Sequence, residues 1–126
     1  MKKDFKIEFY KETLNDIIEI EEYIIEEYCD IIAARKTIDR LFKSIKEIPP
    51  FVFSYPKVNN KYLKNENIYK KICGKFLIVF RIDNDIVEII GIFTTARAKK
   101  NIINNLLNRI VQKKTSSHAS FVFIVF

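Results

Sequence analysis

The sequence predicts an α+β domain in which an N-terminal strand and two amphipathic helices precede a three-stranded antiparallel meander and a C-terminal helix. Three observations support this order. Residues 5–10 alternate between apolar and polar side chains, residues 13–48 place apolar side chains at spacings of three and four, and residues 68–97 contain three strand-length apolar runs separated by turn residues. Helices and strands that are segregated along a chain are typical of the α+β class.

Length and composition predict one ordered domain. The chain has 126 residues, 48% of them hydrophobic, with only two Gly and three Pro, which is enough for a single core. We expect the domain over residues 1–112 and a separate tail over residues 113–126. The N-terminus has no signal peptide pattern and no window is apolar enough to span a membrane, so we expect a cytoplasmic protein with no membrane partner. Cys29 and Cys73 are expected to be reduced, buried and structural.

Charge is distributed unevenly along the chain. Residues 1–48 hold 12 acidic and 9 basic side chains, whereas residues 49–126 hold 4 and 13. A basic sheet half attracts a polyanion, which can be RNA, DNA or an acidic protein segment. The simpler alternative is a solvated lysine surface on a chain that is rich in Ile, Lys and Asn.

The first strand covers Phe5 to Tyr10, and the first helix is predicted to follow it near Thr13. The Thr13 hydroxyl can cap the free amides of the helix while Asp16 completes a pattern similar to a capping box. The predicted apolar face of this helix comprises Leu14, Ile17, Ile18, Ile24, Ile25 and Tyr28, with Glu21 as an interruption.

Asp30 can cap a second helix, which Pro49-Pro50 should end. Because about one residue joins the two helices, they are predicted to form an antiparallel hairpin. The apolar seam of the second helix comprises Ala34, Ile38, Leu41, Ile45 and Ile48.

The segment after Pro50 is predicted to be irregular to about Asn67, with a turn at Asn59-Asn60. Its aromatic residues are expected to pack onto the helices: Phe51, Phe53 and Tyr55. The meander then has turns at Cys73-Gly74-Lys75 and Asp83-Asn84-Asp85.

Both faces of the predicted meander are largely apolar. The expected sides of the third and fourth strands follow simple alternation: Phe76, Ile78, Phe80 and Ile82 oppose Leu77, Val79 and Arg81, and Ile86, Glu88, Ile90 and Ile92 oppose Val87, Ile89, Gly91 and Phe93. One face should receive the helical hairpin. The other needs a cover, which can be the C-terminal helix predicted over residues 98–112 or a segment of a partner protein.

The last six residues, 121–126, are entirely apolar and prone to form a strand. We expect them to dock on the apolar sheet face or on a sheet edge, of this domain or of a neighbour, where they would compete with a partner protein. The alternative is an appendage that packs nowhere.

The order of these elements resembles that of the RelE/ParE superfamily of toxins from type II toxin–antitoxin systems, over roughly residues 5–105. The resemblance implies a growth-inhibiting toxin that is wrapped and neutralised by a cognate antitoxin. It allows two assemblies, a homodimer of the toxin and a hetero-oligomer of toxin and antitoxin. RelE-like members cleave mRNA at the ribosome with basic residues on the sheet, often with a C-terminal tyrosine or histidine. ParE-like members bind DNA gyrase and lack the ribonuclease residues.

This chain departs from the ribonuclease pattern. Arg97 matches the fourth-strand arginine and Lys71 lies near a second-strand lysine, but Leu77 stands where the third strand would carry an arginine. Ile102-Ile103 occupies the region of the terminal tyrosine, and the single histidine, His118, lies in the tail. The resemblance is therefore closer to the ParE branch. The alternatives are a RelE-like mRNA endonuclease that uses Lys71 and Arg97, and a decayed, non-toxic binding module.

The residues predicted to contact the target or the antitoxin lie on the sheet half of the chain. Arg97 is the candidate anion-binding residue, and its structural alternative is an ion pair with Glu88 or Asp83. No zinc-ligand spacing or nucleotide-binding fingerprint occurs in the sequence, so we expect no cofactor and no metal. The candidate contact residues are Tyr69, Lys70, Lys71, Lys75, Leu77, Arg81, Arg97 and Lys99, with Lys100 extending the basic stripe.

Overall fold

A computed structural model describes residues 5–115 and 121–123 of the chain. The predicted α+β class is confirmed. The elements are β1 (Lys6–Tyr10), α1 (Lys11–Tyr28), α2 (Ile31–Lys46), a 3₁₀ helix (Pro49–Ser54), β2 (Ile68–Cys73), β3 (Phe76–Asp83), β4 (Ile86–Thr94), α3 (Lys99–Thr115) and β5 (Phe121–Phe123). No helix within the described residues has the length and apolar composition required to cross a bilayer.

The strands form one sheet in the order β2-β3-β4-β1-β5. The three meander strands are antiparallel, whereas β1 runs parallel to β4, with Lys6 opposite Ile86 and Phe9 opposite Ile89. β5 pairs antiparallel with the other side of β1. An edge of the chain's own sheet is one of the positions expected for residues 121–126, of which the structure describes 121–123. His118 lies outside the described residues.

The α1–α2 hairpin covers one face of the sheet. The turn between the helices contains Cys29 in the left-handed region, with φ of 50°. Cys29 is exposed, contrary to the prediction that it is buried, because it lies in a turn whose neighbouring residues are exposed as well. The Asp30 carboxylate accepts a hydrogen bond from the Ala33 amide at 2.9 Å. The predicted cap of α2 and its end before Pro49-Pro50 are therefore confirmed. The core on this hairpin side includes Phe9, Ile17, Leu41, Ile45, Ile78, Phe80 and Ile89.

α3 covers the opposite face of the sheet. Leu106 is fully buried, and Ile103 and Ile110 are nearly so. The core on this α3 side includes Tyr10, Leu63, Ile68, Val79, Ile90, Phe93, Ile102, Ile103, Leu106 and Ile110. Of the two covers considered for the second apolar face, the chain's own helix is thus the one present.

The predicted start of the first helix is wrong. α1 begins at Lys11, and its cap residue, Tyr10, makes no side-chain cap hydrogen bond. The Thr13 hydroxyl is buried and donates to the Ile89 carbonyl at 2.7 Å. The local sequence suggested a cap because threonine and aspartate favour such positions, but tertiary contacts with β4 recruit both side chains.

Several predicted core positions are instead exposed. Ile18 and Tyr28 of α1 are 53% and 62% exposed, and Phe51 and Phe53 are 61% and 70% exposed. The buried face of α1 is narrow because only one side of the hairpin touches the sheet, so Ile18 falls outside it. Phe53 contacts the rings of Phe5 and Tyr69 by edge-to-face packing.

The alternation predicted for β4 fails at a β-bulge. Val79 lies opposite Gly91 but Phe80 lies opposite Ile89, so Ile90 is an extra residue on β4. An extra residue reverses the sides of all residues that follow it. Ile92 therefore joins Ile89 on the hairpin side, whereas Phe93 joins Ile90 on the α3 side, contrary to the prediction.

Side chains complete the backbone hydrogen bonding of β4 beyond the end of β1. The β1–β4 register stops at Phe9 and Ile89. Past this point Asp16 accepts from the Ile92 amide at 3.0 Å, and Arg109 donates to the Ile90 carbonyl at 3.0 Å. Arg109 also binds Asp16 through two hydrogen bonds of 2.7 and 2.9 Å. This pair ties α1, β4 and α3 together.

Candidate functional site

Tyr69, the aromatic member of the predicted contact set, is a core residue. Its side chain is 6% exposed and stacks on Phe80 with ring centroids 5.8 Å apart. Residues directly opposite each other on paired strands project to the same face, and Tyr69 lies opposite Phe80 on the hairpin side. Two further residues cover the ring: Phe53 packs edge-to-face on it, and the Nζ of Lys57 lies 5.6 Å from its centroid.

Lys71 also serves the packing of the hairpin on the sheet. Its Nζ donates to the Ser44 carbonyl at 2.8 Å and lies 3.9 Å from the Glu47 carboxylate. The same ammonium is 5.4 Å from the ring centroid of Tyr55. A cation at this position neutralises the negative end of α2, whose last carbonyls have no partner within the helix.

Arg81 belongs to a charged cluster beneath α3. Its guanidinium lies 3.9 Å from the carboxylates of Glu66 and Glu88. Lys113 of α3 donates to Glu88 at 2.7 Å, and the Glu88 side chain is 2% exposed. Burial raises the pKa of Glu88, and the hydrogen bond from Lys113 opposes that shift. Burial, followed by the negative charge of Glu88, likewise raises the pKa of Tyr10.

Lys70 and Leu77 are half-buried on the α3 side of the sheet. They lie beside each other near the β2 edge, where Lys70 is opposite Val79 and Leu77 is opposite Ile72. Ile72 itself is 68% exposed. Lys70 and Leu77 are therefore only partly exposed to solvent.

Lys75, Arg97 and Lys99 are exposed at one end of the sheet. The turn between β2 and β3 adjoins the segment that follows β4, because the Thr95 amide donates to the Lys75 carbonyl at 2.8 Å. The Arg97 guanidinium lies 5.7 Å from the ring centroid of Phe93. The alternative considered for Arg97, an ion pair with Glu88 or Asp83, is absent from the ion pairs of the described residues, and Glu88 is instead held by Lys113 and Arg81.

A groove of about 760 Å³ lies between this end of the sheet and the helical hairpin. Its walls are mostly apolar and include Tyr23 and Tyr28, which are 58% and 62% exposed. Arg40 and Lys75 add cationic groups to its lining, and Thr94 and Thr95 add hydroxyls. Exposed tyrosines beside cations are typical of protein-binding surfaces. This groove is the candidate functional site, and the exposed residues Arg97 and Lys99 follow its last lining residue, Ala96, along the chain.

The two candidate catalytic residues are not brought together. Lys71 points to the hairpin side, where it contacts α2, whereas Arg97 lies over Phe93 of the α3-side core. Cleavage of RNA by its own 2′-hydroxyl needs a base, an acid and a cation around one phosphate. Within the described part of the chain, no group of three or more His, Cys, Asp and Glu residues could hold a metal ion either.

The Asp16–Arg109 pair and the two groove tyrosines were not among the predicted site residues. A signal for the pair exists in the sequence, since each charged residue stands at helical spacing from apolar-face positions. Asp16 is three residues after Thr13 and four before Ile20, and Arg109 is three residues after Leu106. A charge at such a position requires a buried partner. Tyr23 and Tyr28 carry no comparable signal, because an exposed tyrosine looks like any other at helical spacing.

Comparison with known proteins gives one family. The model described as the ParE toxin of type II toxin–antitoxin system, parDE, matches residues 7–99. The matched range runs from β1 through β4 to the first residue of α3. No curated protein matches the chain.

Proposed function

Because the chain belongs to the ParE toxin family of type II toxin–antitoxin systems, we propose that it stops bacterial growth by binding DNA gyrase and that a cognate antitoxin protein neutralises it. The family match carries this proposal. The geometry of the sheet supports binding over RNA cleavage, because Lys71 serves α2 on one face while Arg97 lies on the other. A toxin that acts by binding needs a surface and no active site of its own.

The surface proposed for the target or the antitoxin comprises the groove, which Lys75 lines, and the exposed cations Arg97 and Lys99 that follow its lining residue Ala96. Lys75, Arg97 and Lys99 are free to meet an anionic group, and Tyr23 and Tyr28 can bury apolar area against a partner. Tyr69, Lys71 and Arg81, in contrast, are engaged within the fold. We propose that these three position the surface and make no direct contact with a partner.

Induced expression in a bacterial host that lacks the antitoxin tests the function. The expected result is growth arrest with filamentation and DNA-damage signalling, while ribosome-associated mRNA stays intact. Purified protein should then inhibit supercoiling by purified gyrase. Rapid mRNA cleavage at ribosomes without DNA damage would replace gyrase with the ribosome, and normal growth with soluble, folded protein would favour a non-toxic binding module.

Arg97→Ala tests the proposed surface. Toxicity should be lost, whereas the free energy of unfolding should change by no more than about 0.5 kcal/mol, as is usual for exposed positions. Lys64→Ala is the matched control, because Lys64 is an exposed cation in the turn that precedes β2, at the opposite end of that strand from the groove residues Gly74 and Lys75. An Arg97→Ala protein as toxic as the Lys64→Ala protein would remove Arg97 from the surface.

A further inference from the structure

The strand β1 has a strand-accepting edge that the chain's own C-terminus occupies. On one side β1 pairs with β4. On the other side it pairs with β5, where Glu8 is opposite Phe123, Phe9 is opposite Val122 and Tyr10 is opposite Phe121. Without β5, the outer amides and carbonyls of β1 would face solvent as a row of open hydrogen-bonding groups. Such an edge pairs readily with another extended segment.

β5 is attached to the rest of the domain less firmly than any other strand. Its extensive contacts in the described structure are with β1 alone, whereas β1 also packs against β4 and α1. It follows α3 and lies close to the end of the chain. Segments held by a single neighbour open at much lower free energy than the centre of a sheet.

The last turn of α3 lies close to the β1 residue with which β5 begins its pairing. Lys113, in the last turn of α3, is bound to Glu88 at 2.7 Å and lies 5.9 Å from the ring centroid of Tyr10. Tyr10 is the β1 residue opposite Phe121. Tethering at this point keeps the segment at an effective concentration of roughly millimolar, so it competes strongly with any segment that arrives from another molecule.

We propose that the outer edge of β1 is a binding site for an extended, uncharged, apolar peptide segment in antiparallel orientation, and that residues 121–123 occupy it as a displaceable internal ligand. The composition of the natural occupant defines the class of ligand, since residues 121–126 are Phe, Val and Ile alone. Main-chain pairing supplies affinity and is indifferent to which polypeptide carries the segment. The inference does not depend on whether gyrase is the target.

A labelled peptide with the sequence of residues 115–126 serves as the probe, and the full-length chain is used throughout. Val122→Pro removes a main-chain donor and constrains the backbone of β5, so it should release the edge. Val122→Thr is the matched control because threonine retains strand propensity. Fluorescence anisotropy should show at least about tenfold tighter peptide binding by Val122→Pro than by the wild type or Val122→Thr. Equal binding by all three folded proteins would overturn the proposal.

Amide hydrogen exchange on the wild type gives a second test that needs no variant. The amides of residues 8–10 that face β5 should exchange at least about 100-fold faster than that of Ile89 in β4, because release of β5 exposes them without unfolding of the domain. Exchange of both sets at the same rate, through global unfolding only, would show that β5 is a permanent strand and would refute displacement.

Discussion

Replacement of Asp16 by asparagine changes one terminal atom of the side chain, yet it should strongly lower the free energy of unfolding of this domain. The Asp16 and Arg109 side chains are 12% and 11% exposed and lie 2.7 Å apart at their nearest charged atoms. Asp16→Asn keeps the shape of the side chain and an acceptor for the Ile92 amide, but it leaves the Arg109 guanidinium buried without a counter-charge. Loss of one partner of a buried pair costs about 3–5 kcal/mol, out of a total stability of about 5–15 kcal/mol for a typical domain.

Urea unfolding monitored by circular dichroism measures this loss. The matched control is Glu47→Gln, which removes the carboxylate 3.9 Å from Lys71; because Glu47 is 59% exposed, its change should be within about 0.5 kcal/mol. A loss below about 1 kcal/mol for Asp16→Asn would refute the reasoning, since it would mean that Arg109 finds adequate solvation without Asp16.

A double-mutant cycle separates the pair from its backbone contacts. Asp16→Asn/Arg109→Gln should be more stable than the sum of the two single losses predicts, by about 0.5–3 kcal/mol, because the second change removes the charge that the first left unpaired. Additive losses would show that the hydrogen bonds to the Ile90 carbonyl and the Ile92 amide, and not the ion pair, carry the energy.

Three further changes have defined outcomes. Gly91→Ala should lower the free energy of unfolding in urea by about 1–3 kcal/mol, because the added Cβ would lie 2.5 Å from Arg109 Nη1 and 2.7 Å from the Phe93 ring. A variant as stable as the wild type would show that β4 shifts freely. Glu88 has a pKa raised above 4.5, so its contribution to stability is full below about pH 4.5 and is lost as pH rises through the raised pKa. The stability of the wild type relative to Glu88→Gln should therefore fall between acidic and neutral pH, and a constant difference would contradict the burial argument. Lys71→Met should lower stability by about 1.5–3 kcal/mol through loss of the charged hydrogen bond to Ser44 and leave growth inhibition intact; a stable but non-toxic variant would return Lys71 to the functional surface.

The helices and strands could be predicted from the sequence because their periods are local properties. Runs of apolar residues between Gly74 and Asn84 indicated strands, and Asp30 and Pro49 marked helix ends. The bulge at Ile90 could not be predicted, since residues 89–93 of β4 carry no charged or polar side chain whose side would reveal an extra residue. The cap assigned to Thr13 failed for a related reason: its partner, Ile89, is 76 residues away, and local preference carries no information about such a contact.

The candidate site was predictable only in part. The sequence shows which residues of the sheet half are basic, but it does not say which of them are engaged in contacts within the fold. Lys71 and Lys75 stand four residues apart on one hairpin, yet one is bonded to α2 and the other is exposed. The separation depends on where α2 crosses the sheet, which is a property of tertiary packing. The groove tyrosines depend on the same packing.

The parallel pairing of β1 with β4 has a consequence for synthesis on the ribosome. Lys6 emerges early but its partner, Ile86, emerges after most of the domain has been made, and Asp16 must wait for Arg109, 93 residues later. At about 5–20 residues per second, that delay is roughly 5–20 s. Until β2, β3 and β4 have emerged, the first strand and the inner face of the helical hairpin have no sheet to pack on. The nascent chain therefore cannot acquire its native core gradually, and incomplete products that terminate before α3 should be cleared as unfolded polypeptide without ever presenting the groove.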